Sequence, residues 1–150
     1  MTDRAQDFPA MLREALGDSL AADQTGFVDM LSEDVVMEFP FTPPGLPHRL
    51  EGQDAVADHL VKLARLITFD RIGPAKVLAR DGETIVLAFE AAGSGVETRA
   101  PYDQRYLSVI TTGGGRIVHY LDYWNPLVVV RALLGDDAAN AIAMNGVYGA

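Results

Sequence analysis

The 150-residue chain contains no cysteine, which removes disulfides, thiolate nucleophiles and thiolate metal ligands together. It also lacks any uninterrupted apolar run near the roughly 18 residues that mark a bilayer span. The N-terminus carries Asp3, Arg4 and Asp7 rather than an apolar leader. Positive charge is scarce: 12 Lys and Arg stand against 21 Asp and Glu, for a formal net charge of −9. Such a balance repels phosphate backbones and anionic lipid surfaces, so no nucleic acid and no membrane is expected as a partner. A soluble, cytoplasmic protein is the default expectation.

What is present suits one globular domain over 1–150, with 136–150 as a C-terminal tail. At 49% hydrophobic and 22% charged residues the composition is not that of a disordered chain. A domain of this length hides roughly 68–70% of the surface its unfolded chain exposes, enough for a core and a pocket.

Helical periodicity comes first. Phe8, Met11, Leu12, Ala15, Leu16 and Leu20 recur at spacings of three and four, which predicts a helix from about 5 to 22. A second short helix carries Phe27, Val28 and Leu31, and a strand follows over Val35–Phe39. Four prolines between Pro40 and Pro47 make the next segment a stiff loop. From Asp54 to Ile67 the residues Val56, Leu60, Leu63 and Ile67 converge on one helix face, while Asp58, Lys62 and Arg65 are expected to point the other way. His59 lies about 60° to one side of that stripe at 100° per residue, so it edges into whatever the helix covers.

From residue 68 the period becomes two. Strands are expected over about 70–80, 83–92, 101–112 and 115–125, with turns at Asp81-Gly82, Gly93-Ser94-Gly95 and Gly113-Gly114-Gly115. Short turns between neighbouring strands predict an antiparallel meander. After Pro126 the run to Gly135 reads as strand or helix: the flanking proline and glycine favour a helix, and three consecutive valines oppose it. Helices preceding a curved antiparallel sheet make an α+β fold with the helices on one sheet face.

The segment Tyr120-Leu121-Asp122-Tyr123-Trp124-Asn125-Pro126 places one carboxylate among aromatics in the last strand. A buried carboxylate is costly without a partner or a task, which makes Asp122 the leading candidate for acid-base chemistry. Its dull alternative is a structural pair with Arg105 or a backbone amide. Alternation sets Tyr120, Asp122 and Trp124 on one face of that strand and His119, Leu121 and Tyr123 on the other. By position, Tyr102, Gln104 and Tyr106 of the preceding strand are expected to face inward with Asp122. Glu38 and Phe39, at the end of the first strand, are further candidates for the pocket mouth and wall. His48 is expected in solvent and His119 at a surface or interface. Three scattered histidines without close spacing make a weak metal site, so no metal is expected.

Over nearly its whole length the chain resembles the nuclear-transport-factor-2-like fold, and within it the SnoaL-like or ketosteroid-isomerase-like proteins. It is similar above all to the small phenazine-biosynthesis condensing proteins of that group. In those, a histidine on the third helix and an acid just before an Asn-Pro line the pocket, matching His59 in Ala57-Asp58-His59-Leu60 and Asp122 here. This chain has Asp where that group usually has Glu. The resemblance implies a cone-shaped curved antiparallel sheet wrapped around three helices, enclosing an apolar cavity. Two functions follow from it. One is cofactor-independent isomerase, cyclase or condensation chemistry on a small apolar or aromatic carbonyl ligand, with Asp122 as acid or base and His59 or a tyrosine assisting. The other is a non-catalytic binding or dimeric partner module. A homodimer through the outer face of the sheet, using Leu107, Val109, Leu121 and Tyr123, suits either.

Overall fold

A computed structural model describes residues 7–147 and residue 149. Helix α1 (Phe8–Leu16) starts where the Asp7 carboxylate accepts the Ala10 N–H at 2.7 Å, and Gly17, at φ 51°, ends it. It is therefore shorter than the apolar period suggests; a 3-10 turn over Gly17–Ser19 carries the stripe onward to Leu20. Residues 5 and 6 of the expected helix lie outside the described residues. The expected second helix is only a 3-10 turn, Val28–Met30, and Leu31 already belongs to strand β1 (Leu31–Glu38). A short β2 (Arg49–Glu51) leads into α2 (Gln53–Ala64).

The sheet continues with β3 (Ile67–Ile72), β4 (Lys76–Asp81), β5 (Thr84–Gly95), β6 (Pro101–Gly113) and β7 (Arg116–Trp124). The strand expected over 70–80 is thus two strands. Pro74 has no N–H for a ladder, and the Gly73 N–H turns to the Glu90 carbonyl at 2.7 Å. β3 then pairs with the C-terminal half of β5 and β4 with its N-terminal half.

Gly93-Ser94-Gly95 is likewise not a turn but the end of β5. A Cβ on Gly93 would lie 1.9 Å from the Thr68 carbonyl oxygen, and one on Gly95 1.9 Å from that of Ala132. These glycines permit backbone contact rather than chain reversal.

The order across the sheet is β2-β1-β7-β6-β5-β3, with β4 also on β5. All pairs are antiparallel except β1 with β7, which is parallel, so β1 and β2 extend the meander beyond β7 and the open sheet is mixed. The strands after residue 66 pair antiparallel as expected, and the parallel contact comes from β1. After β7 the chain forms α3 (Pro126–Leu134) and α4 (Asp136–Ala141). Caps outweigh the valines here: Asn125 Oδ1 accepts the Leu127 N–H at 3.0 Å, Pro126 opens the helix, and Gly135, at φ 97°, ends it. Of the tail, residues 148 and 150 lie outside the described residues.

The core fills the concave side of the sheet. Met11, Leu12 and Leu16 of α1 pack with Met30, Leu31, Val35, Ile85, Leu87 and Ile110. A second cluster, Ile67, Tyr102, Val129 and Ala132, seats α3 across the other end of the cone.

Candidate active site

Between α2, α3 and the concave sheet lies a cavity of about 940 Å³. Nine aromatic side chains line it: Phe8, Phe27, Phe39, Phe69, Phe89, Tyr102, Tyr106, Tyr120 and Trp124. The chain has twelve aromatics in all, so most of them serve this one space. Their order is local. Phe89 and Tyr106 stack at 4.7 Å with planes 10° apart, and the Phe39 ring sits between His59 at 5.2 Å and Trp124 at 6.3 Å.

Asp122 enters this cavity from β7, opposite Ser108 of β6. The nearest cross-strand hydroxyl is occupied, since Ser108 Oγ and the Tyr120 hydroxyl bond each other at 2.9 Å. Asp122 Oδ1 consequently has no hydrogen-bond partner among the described residues and is shut off from solvent. Burial pushes the carboxyl up to about 8, with only a hydrogen bond from the Trp124 side chain opposing it. At neutral pH Asp122 is mostly a carboxylic acid, able to donate a proton. The structural alternative, a pair with Arg105, does not form: Arg105 is on the outer face, 3.4 Å from Glu90.

His59 is half-buried on the flank of α2 and lines the same cavity. Desolvation first, and the Lys62 ammonium second, hold its imidazole below the usual range, so at neutral pH it is neutral beside a protonated Asp122. Environment thus pushes the two groups apart in opposite senses, the pattern by which acid and base roles are divided within one pocket. Across the floor, the Tyr102 and Tyr106 hydroxyls lie 2.7 Å apart. Burial raises both, foremost by desolvation, so both remain protonated donors. Tyr120, buried and bonded to Ser108, is raised as well.

Tyr102, Tyr106, Tyr120, Trp124 and Phe39 all line the cavity. Two expected pocket residues do not. Gln104 points inward but sits behind the wall, 1% exposed, with its amide spent on Asn125. Glu38 faces the outer side of the sheet, where it bonds His119 Nε2 at 2.6 Å and Arg49 at 3.2 Å. Those partners hold its carboxyl below the usual range, His119 first. Alternation fixes a face but not a depth, and Glu38 lies one residue out of phase with Met37, which does line the cavity.

Asp58 and Lys62, expected on the helix face turned away from the apolar stripe, line the space beside His59 instead; Thr42 and Leu46 from the proline loop and Val129 and Leu133 from α3, not singled out in the sequence, line it too. Among the described residues, no group of three or more His, Cys, Asp or Glu side chains is arranged to hold a metal ion. None of the described helices is long and apolar enough to cross a membrane.

A mixed curved sheet closing on helices around such a cavity is the nuclear-transport-factor-2-like, ketosteroid-isomerase-like fold. Within it, residues 11–120 match the SnoaL-like domain family, and the chain belongs to that family. A Bacillus subtilis protein solved under a provisional isomerase name is 38% identical, covers 84% of this chain and 91% of its own, and superposes with a TM-score of 0.71. An uncharacterised PhzA/B-like protein of Pseudomonas aeruginosa is 31% identical over 120 residues, 80% of this chain and 85% of that one. A phenazine biosynthesis-related protein from the same organism shares the fold at 18% identity, covering 84% of this chain and 86% of its own with a TM-score of 0.64.

Proposed function

We propose that the protein is a cofactor-independent acid-base catalyst acting on an apolar or aromatic carbonyl compound, in an isomerisation, cyclisation or condensation. The observation that carries this reading is Asp122: a carboxyl held protonated to about pH 8 inside an aromatic cavity, with one oxygen unpartnered among the described residues. An apolar space with few convergent polar groups suits a largely hydrophobic ligand.

In this reading the neutral His59 imidazole takes a proton from the carbon next to the carbonyl. The C–H electron pair moves into a new C=C bond while the carbonyl π pair goes to oxygen, and the Asp122 carboxyl donates its proton to that oxygen. The result is an enol, with His59 protonated and Asp122 ionised. Returning the proton to another carbon gives an isomer; attack of the enol carbon on a second carbonyl gives a ring or a condensation product. Each positioned proton transfer is worth on the order of 10²–10⁴ in rate.

The test has two arms. Carbon-detected NMR of the Asp122 carboxyl through a pH titration should show a midpoint near 8, and a midpoint in the ordinary carboxylate range would overturn the assignment. Native mass spectrometry of the purified protein identifies any carried-over ligand. Asp122→Asn should then abolish turnover of that ligand while leaving its binding within a few-fold; full activity would overturn Asp122 as the catalytic acid, and a wild type that binds the ligand without turning it over would leave the binding-module reading in its place.

A further inference from the structure

Gln104 stands behind the pocket rather than in it, and its hydrogen bonds determine what the pocket offers a ligand. Its Oε1 accepts two backbone N–H groups, Asn125 at 2.9 Å and Arg105 at 3.0 Å. That fixes the amide orientation, because a flipped amide would set its NH2 against two donors. Nε2 must then face the other way, where it donates to the Asn125 carbonyl at 3.0 Å and to the Tyr102 hydroxyl oxygen at 3.5 Å. Tyr102 in turn lies 2.7 Å from the Tyr106 hydroxyl.

The two phenols hold two hydroxyl protons, and their mutual bond uses one. Gln104 contributes an N–H rather than accepting one, so the second hydroxyl proton has no acceptor among these three side chains. Both tyrosines line the cavity, so that proton is available to it. We infer that Gln104 is a positioning residue that sets the polarity of the Tyr102–Tyr106 pair, making it a one-proton donor site for an acceptor oxygen of the ligand. The inference rests on the carbonyl-ligand reading above and adds to it a second donor on the same oxygen, besides Asp122.

Gln104→Glu reverses the polarity at nearly constant volume. Burial keeps the introduced carboxyl protonated, as it does Asp122: its carbonyl oxygen accepts the two backbone N–H groups, while its hydroxyl donates to the Asn125 carbonyl in place of Nε2 and turns a lone pair to Tyr102. Tyr102 then donates to that oxygen, Tyr106 donates to Tyr102, and a lone pair faces the cavity. The experiment uses 2-acetylnaphthalene, whose carbonyl only accepts, and naphthalene, which has no oxygen, with binding read from Trp124 fluorescence. The wild type should prefer the ketone by about fivefold or more, as for one hydrogen bond. Gln104→Glu should cut that preference severalfold, leaving the part that Asp122 supplies, with naphthalene affinity unchanged, which also reports an intact cavity.

The infrared carbonyl stretch of bound 2-acetylnaphthalene should move to higher frequency in Gln104→Glu, and Gln104→Met should fall between the two. A ketone preference and stretch unchanged in Gln104→Glu but lost in Asp122→Asn would place the oxygen on Asp122 alone, overturning the inference and sparing the carbonyl reading. No preference for the ketone in the wild type would overturn both.

Discussion

Asp122 shows how one side chain can set both the working range and part of the stability of a protein. In the folded state it keeps its proton to about pH 8, whereas an exposed aspartate releases it near 3.8. Between those values the folded state binds more protons than the unfolded chain, so stability falls as pH rises, by roughly 1.4 kcal/mol per pH unit. His59, held below its usual range, works in the opposite sense up to about pH 6.5 in both proteins, so urea unfolding at pH 5 and pH 7 should show wild-type stability changing more unfavourably with pH than that of Asp122→Asn. The same groups shape activity. His59 must be neutral and Asp122 protonated, so the rate should trace a bell with its upper limb near pH 8 and its lower limb below the ordinary imidazole range. His59→Gln should remove the lower limb and lower kcat on the order of 10²-fold, leaving the upper limb in place.

Asp122 is legible in the sequence because a lone carboxylate between tyrosines in an alternating strand is a local contradiction. His59 is legible from helix geometry and from a motif. The displacement of Gln104 behind the wall is not, because no periodicity records that a side chain's amide is claimed by the backbone at the end of the next strand.

At the scale of elements, glycine carries the information most easily misread. Gly93 and Gly95 look like a turn in the sequence, yet they lie in β5 because Thr68 and Ala132 press their backbones against it. A glycine wanted for a close approach and one wanted for a reversal leave the same letter. Gly95→Ala should cost about 2 kcal/mol or more in chemical denaturation, since its Cβ would meet both the Ala132 carbonyl and Thr98 Oγ1, which itself bonds the Ala132 carbonyl oxygen at 2.6 Å. That loss should come with displacement of α3, which reduced protection of its amides in hydrogen exchange would report. The helix after the sheet is foreseeable from Pro126 and Gly135, whereas the split of 70–80 into β3 and β4 hangs on Pro74 alone.

For the molecule as a whole, the outer sheet face sets the next question. Register places Val86 of β5, Val109 of β6 and Leu121 of β7 side by side, with Leu107 and Tyr123 paired in the next row. Leu107 is 38% exposed, and the exposed Phe41 ring packs edge-on against Tyr123. Pairing of two copies through this face is the proposed assembly. Light scattering should give twice the chain mass for the wild type and a single chain mass for Leu107→Asp, with the unfolding midpoint falling in the variant. A single-chain mass for the wild type would remove the proposal.

The parallel union of β1 with β7 has a further consequence, for the order in which the protein is made. The strand bearing Asp122 lies between β1 and β6, and the bond from Arg116 to the Asp29 carbonyl reaches across 87 positions of chain. A ribosome that has not yet released β7 has released β1 without its central neighbour, its apolar side chains waiting for a strand not yet synthesised. Such long-range pairing slows folding and prolongs exposure of unpaired edges. A chain halted before Arg116 is thus expected to engage chaperones rather than fold, and the pocket becomes whole only after β7 and α3 have emerged.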